Sequence, residues 1–379
     1  LRVLTAGESH GPAIIAIVDS VPAGLPLTTA DIDRGGRRKI EKDSARFLSG
    51  VRHGLTMGSP VTLYIENRDH ANWENAMSPE AGAEPEKETK PRPGHGDLAG
   101  MLKYSAADAR NILERASARE TAARVAAGAV GRRLLEEIGV TVRSRVVSVG
   151  TAIDKSRRGL RETDYLLADE DEMRCLDPDV SVTMMSQIDE ASEQGDTLGG
   201  TFEVAVFGAP PGLGSHAQAD RRLDAILCAA LVSIPGVKGS EVGDGFSLGG
   251  IRGSKAHDEI FYDEKLLLHR RTNHAGGIEA GMSNGETIIL RAAMKPIPTL
   301  GKPLATVDLA DLSPTKAFKE RADVCAVPAA SVVGESVVAL AIATAAQEKF
   351  GGDSLVEMRR NVSGYLEQIS ARWRPRGDA

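Results

Sequence analysis

The chain of 379 residues is 41% apolar, 26% charged and 4% aromatic, with a formal net charge of −7. A chain this long buries roughly three-quarters of its unfolded surface, so no disulfide or metal staple is required, and 40 dispersed glycines exclude a collagen-like repeat. The acidic balance speaks against nucleic-acid and anionic-membrane partners while leaving room for a locally basic pocket.

"AIIAIVDSVPAGLPLT" reads as a buried strand ending in a Pro/Gly turn. Its apolar residues 14–18 are too few for a signal-peptide core, and no apolar run reaches bilayer-spanning length. "SPVTLYIEN" alternates as a second strand, and the polar, proline-bearing residues 74–94 read as a long loop. "SARETAARVAAGAVGRRLLEEIG" predicts a helix with Ser117 and Glu120 as a capping box and Gly139 as its stop. Small residues on nearly every face suggest that it is buried between layers. "TVRSRVVSVGTAI" and "GTFEVAVFG" are strand-like, and the charged residues 152–196 read as a solvated excursion. "ADRRLDAILCAALVSI" predicts a helix stopped by Pro235, "NGETIILRAAMKP" a strand, and "SVVGESVVALAIATAAQEKFGG" a second small-residue helix, with a loose tail after about residue 372.

Strands that come in groups predict an α/β protein of the α+β type, a single domain without internal repeat, rather than a doubly wound parallel sheet. Cys175, Cys228 and Cys325 are far apart with no metal-ligand spacing, which fits a reducing cytoplasm and no metal site.

Several segments carry candidate chemistry. "GLGSHA", 212–217, matches a dinucleotide fingerprint, but Pro210 and Pro211 stand where the tight turn should start, and no acidic residue follows at the ribose position. An NAD(P)-dependent dehydrogenase is therefore the lesser reading. "RGGRRK", 34–39, resembles an RNA-binding segment, yet a loop presenting arginines to a small anion is more economical in an acidic protein. His10 in "GESHGP" and His95 in "RPGHGD" sit in matching glycine settings, the second three residues after Arg92. Glycine there lets a ligand approach the ring, and an imidazole can deliver a proton at neutral pH. In "ERASARET", Arg115 and Arg119 flank Ser117 at a helix start, where free N–H groups attract anions. "KPIPT" sets Lys295 in a stiff loop, and "ERADVCAVPAA" places Arg321 and Asp323 before a buried helix.

Together with "TAGESHGPA", "FLSGVRHG", "RPGHGDLAGMLKY", "IPGVKGSEVGDGF" and "RRTNHAGGIEAGMSNGE", these segments resemble the chorismate synthase family, in order from residue 1 to about 360. The resemblance implies a β-α-β sandwich with buried helices between two antiparallel sheets, assembled as a homotetramer. It implies conversion of 5-enolpyruvylshikimate 3-phosphate to chorismate by a 1,4-anti elimination, in the shikimate pathway of aromatic amino-acid biosynthesis. The implied cofactor is reduced FMN, with NADPH as the external electron source in some members.

By the same resemblance, His10 protonates the departing phosphate, His95 serves the reduced flavin, and Asp323 acts in the proton step. Flavin contacts fall on Arg115, Ala116, Ser117, Pro235, Gly236, Ala280, Lys295, Pro296, Ile297, Pro298, Thr299 and Arg321. Ala280 replaces a frequent glycine. Arg34, Arg37, Arg92 and Arg119 are the implied substrate contacts, and with Arg115, Lys295 and Arg321 they oppose about −5 to −7 charges on substrate and cofactor. One departure stands out: Asp33 runs straight into Arg34, where the family carries about ten more residues, a length typical of a binding loop. Either the segment is deleted or it is absent only from this sequence; the start at Leu1 instead of methionine favours the second, and a substrate-contacting arginine is then missing with it.

Overall fold

Two antiparallel sheets enclose two helices in the computed structural model, which describes residues 1–34, 44–82, 85–156, 160–263, 267–320 and 322–373. The first sheet has the order β1-β2-β4-β3, from β1 (Arg2–Ala6), β2 (Ala13–Asp19), β3 (Ala45–Ser49) and β4 (Val61–Glu66). Val18 pairs with Val61 and Ala13 with Glu66, so Val61, Leu63 and Ile65 alternate inward on β4. The second sheet runs β8-β9-β7-β5-β6, from β5 (Thr141–Val149), β6 (Ala152–Ile153), β7 (Gly200–Phe207), β8 (Val237–Val242) and β9 (Ile288–Met294).

Between the sheets lie α1 (Glu120–Glu136) and α3 (Val327–Phe350); α1 packs on β2, α3 on β5 and β7, and the two pack on each other. α2 (Leu223–Val232) packs on α3 and β8, and α4 (Leu355–Trp373) follows α3. Small residues permit this: a Cβ on Gly128 of α1 would stand 2.4 Å from Ser336 Cβ and 2.7 Å from Ser336 Cα on α3. Gly128→Val is expected to cost about 3 kcal/mol or more, because backbone rather than a flexible side chain blocks the space. Chemical denaturation with unchanged slope and a lower midpoint is the measurement that checks it.

Three local expectations need correction, and one helix stands where none was predicted. α3 is, by length and mean hydropathy of 1.8, apolar enough to cross a bilayer, against the reading that no run is; 72% of that window is buried inside the protein, as a core helix requires. The charged stretch 152–196 carries two helices, Glu162–Glu170 and Pro178–Gln194. The first sets Tyr165 against the buried Arg145 and Glu203 of the second sheet, where Arg145 Nε and Tyr165 Oη each donate to Glu203 Oε1 at 2.8 Å. α4 fills residues 355–373, to which the sequence reading assigned no element, and residues 374–379 of the tail lie outside the described residues. The Ser117–Glu120 capping box does not form: Ser117 Oγ accepts from Arg119 N at 3.2 Å, while Glu120 takes Thr5 Oγ1 at 3.0 Å.

Candidate active site

The segment 114–117, just before α1, is the hinge of the site, because both histidine loops pack against it. On one side, His10 Nδ1 donates to Glu114 at 2.9 Å (Oε1) and 3.0 Å (Oε2), and the His10 backbone N–H donates to Oε2 at 2.9 Å. The ring stacks on Trp73 with centroids 4.0 Å apart, and His70 Nδ1 donates to the His10 carbonyl. Arg110 donates to Glu114 Oε1 at 3.0 Å, and its guanidinium lies over the Trp73 ring. Asn67 Nδ2 bonds the carbonyls of Glu8 and Gly11, pinning the loop, and its Oδ1 accepts from Arg119 Nε at 2.8 Å. Ser117 Oγ donates to Ser9 Oγ at 3.1 Å.

Not every glycine in this loop serves access to the ring. Gly7 has φ +104°, and a Cβ there would stand 2.2 Å from the Ala13 carbonyl oxygen, so it is required for the turn between β1 and β2.

On the other side, His95 Nδ1 donates to Asp97 Oδ1 at 2.5 Å, and Arg92 Nε donates to Asp97 Oδ2 at 2.9 Å. Asp97 is fully buried; burial alone pushes its carboxyl up, but the bonds from His95 and Arg92 outweigh it and hold the group far below the ordinary carboxylate range. Arg92 was expected to meet substrate. Instead its guanidinium is 6% exposed and spent on Asp97, Thr299 Oγ1 at 3.0 Å and Glu320 Oε2 at 3.1 Å, which makes it the clamp of the His95 loop.

The "KPIPT" loop closes on the same place. Lys295 Nζ donates to the Gly94 carbonyl, and Lys295 N to the Gly236 carbonyl at 3.0 Å, which brings Pro235 and Gly236 alongside. A Cβ on Gly94 (φ +81°) would meet Pro298 Cβ at 3.5 Å and Lys295 Nζ at 3.6 Å; one on Gly96 would meet Ala116 Cβ at 3.7 Å. Thr197 Oγ1 donates to the Ile297 carbonyl at 2.7 Å, and the neighbouring Leu198 N donates to the Val324 carbonyl at 2.9 Å, so Asp323 adjoins the loop. Pro296 is exposed at its rim. Arg115 donates to the Gly7 carbonyl at 3.0 Å and Thr5 Oγ1 at 2.6 Å, tying β1 to the hinge.

Ala280 does not join this cluster. It turns the hairpin between Ile278–Glu279 and Met282–Ser283, where Leu223 N donates to the Gly281 carbonyl. That is the N-terminal end of α2, whereas Pro235 and Gly236 follow its C-terminal end, about 15 Å away for ten helical residues. Arg34 ends a short helix, Thr29–Arg34, with its side chain outside the described residues; Arg37 and Arg321 lie outside them altogether.

Sequence reasoning passed over Glu114, Asp97, Trp73 and Asn67. The first two stood inside quoted motifs, one opening "ERASARET" and one closing "RPGHGD"; for Asp97 the carboxylate two residues after His95 was the available signal, whereas nothing local links Glu114 to His10.

The dinucleotide-fingerprint reading of 212–217 fails on geometry. At 212–217, a Cβ on Gly212 would meet Tyr365 Oη at 2.9 Å and one on Gly214 the Gly281 carbonyl oxygen at 2.5 Å, so these glycines admit neighbouring protein, and both main sheets are antiparallel rather than doubly wound. Of the arginine-glycine stretch, residues 35–39 lie outside the described residues.

A family model described as chorismate synthase matches residues 1–346. A chorismate synthase of Desulforudis audaxviator is 53% identical over 386 aligned positions, covering 98% of each chain, and that of Geobacter metallireducens is 53% identical over 391, covering 97% of this chain and 99% of the relative. Both alignments run longer than this chain, so the relatives carry residues it lacks. A crystal structure of a chorismate synthase superposes with a TM-score of 0.81 at 40% identity, over 98% of each chain. The chain belongs to the chorismate synthase family of carbon–oxygen lyases.

Proposed function

We propose that the protein converts 5-enolpyruvylshikimate 3-phosphate to chorismate and phosphate, breaking the C3–O and C6–H bonds in a 1,4-anti elimination with reduced FMN. The observation that carries this reading is the pair of imidazoles, each held at Nδ1 by a buried carboxylate, on either side of segment 114–117.

The residues fit a flavin phosphate and ring. Gly94, Gly96, Ala116 and Pro235 leave an exposed lip of small residues, and a lysine and an arginine border it. Arg115, Ala116, Ser117, Pro235, Gly236 and the loop from Lys295 through Pro296, Ile297 and Pro298 to Thr299 would hold the cofactor, with Arg321. When bound, reduced FMN supplies a transient electron that eases departure of phosphate and is recovered at the end. His10, its Nδ1–H fixed by Glu114, presents Nε2 as the proton donor to the leaving phosphate. His95, its Nδ1–H fixed by Asp97, presents Nε2 on the cofactor side. Asp323 takes the proton-accepting side, and Arg34, Arg37 and Arg119 neutralise substrate anions.

The separation of Ala280 from Lys295 within one chain supports an assembly in which a neighbouring copy supplies that hairpin. Leu4, Leu48, Phe246 and Ile260, all exposed, offer apolar surface for it. A homotetramer in the cytoplasm, with NADPH as the external reductant, completes the reading.

An anaerobic assay with reduced FMN is expected to yield chorismate and phosphate in equal amounts; no chorismate from the protein would remove the proposal. Lys295→Ala is expected to weaken reduced FMN binding about tenfold or more, the worth of one charge-assisted hydrogen bond, by equilibrium titration.

A further inference from the structure

We infer that Glu114 is a positioning residue that fixes the Nδ1–H of His10 and stabilises the positive charge on the ring when it is protonated. The inference rests on the reading of His10 as the acid toward phosphate and names what makes that acid competent. Glu114 is 4% exposed and aims both oxygens at His10, one of them shared between the ring and the backbone N–H. A carboxylate cannot donate, so Nδ1 carries a hydrogen; an Nε2 proton can then exist only on the imidazolium, whose charge the carboxylate stabilises.

The other groups around the ring do not supply this. Arg110, from the short helix Arg110–Leu113, bonds Glu114 and opposes its charge. Asp69 and His70, from the segment Arg68–Asn72, reach only the field and the backbone carbonyl of His10, and Asp69 is exposed and bonded to Asn72 and Trp73. Glu8, in the same loop as His10, stands beside Gly11. Trp73 fixes the ring plane and brings no charge.

The test compares the chain with Glu114→Gln, which keeps an acceptor for the ring but removes the charge, and Glu114→Asp, which keeps the charge. Carbethoxylation of the His10 peptide, followed by mass spectrometry across pH, reads the titration without needing turnover. The pKa of His10 is expected to fall by about one unit or more in Glu114→Gln and to stay within about half a unit in Glu114→Asp. The basic limb of kcat should move to lower pH by the same amount in Glu114→Gln, which loss of packing alone would not produce. Should Glu114→Gln not fold, Arg110→Met provides the converse arm: with the opposing cation gone, His10 should titrate at higher pH. Unchanged titration of His10 in Glu114→Gln, or in Arg110→Met where that arm is needed, overturns the inference. Absence of chorismate from the unaltered chain overturns the proposed reaction instead, while the titration still decides the charge coupling.

Discussion

His10→Ala is expected to lower kcat for chorismate formation by about 10²–10⁴-fold, the range for losing a well-placed general acid. The substitution leaves the sheet intact, because His10 lies beyond β1 in a loop that Asn67 pins through backbone carbonyls of Glu8 and Gly11. It removes the ring that Trp73 covers and leaves Glu114 with Arg110 and the backbone N–H as partners, so a stability loss of about 1–3 kcal/mol accompanies the kinetic one. Reduced FMN binding should fall far less than kcat, since Lys295 and Gly236 sit on the His95 side of segment 114–117, and Arg115 and Ser117 reach the His10 loop through Thr5, Gly7 and Ser9 rather than through the His10 ring. Steady-state kinetics and flavin titration on the same preparation separate these effects. A kcat within threefold of the unaltered protein would place the acid elsewhere.

Asp97→Ala is expected to be the most destabilising single change at the site, by about 3–5 kcal/mol, because it strands the buried Arg92 guanidinium. Thr299 and Glu320 remain as acceptors, yet neither replaces a fully buried carboxylate bonded to both Arg92 and His95. The pH dependence has a definite sign. The carboxyl of Asp97 is depressed in the folded state, so its contribution is complete above its unfolded value of about 4 and is lost as pH falls toward the lower folded value. The stability gap between the unaltered chain and Asp97→Ala should therefore be widest near neutrality and narrow in strong acid. Denaturant midpoints at several pH values check this; a constant gap would show that the carboxylate charge is not what holds the loop.

Much of this molecule was legible before its structure. Strict alternation in 61–66 and the β-branched runs of β2, β5, β7 and β9 announced the strands, since one or both faces of each are buried. The small-residue stripes of α1 and α3 announced their burial, because only glycine, alanine and serine let two helix backbones approach as Gly128 and Ser336 do. The helices within 152–196 were hidden by charge: the acidic run at 168–172 masks an amphipathic pattern whose buried members are few, Tyr165, Ala168, Ser181, Met184 and Ala191.

The site was legible as residue types but not as roles. Arg92 and Arg119 look alike in sequence; only the fold reveals that Arg92 turns inward onto Asp97 while Arg119 bonds Asn67 near the His10 loop. Glu114 and Trp73 meet His10 from distant positions, 104 residues away for the first, and no local pattern encodes such contacts.

A crystal structure of the protein with FMN and the enolpyruvyl substrate tests the arrangement at its root. The account predicts a phosphate oxygen within hydrogen-bond distance of His10 Nε2, and the flavin against residues 94–96, 115–117 and 295–299. A phosphate held away from His10, or a flavin seated against 212–217, would contradict it.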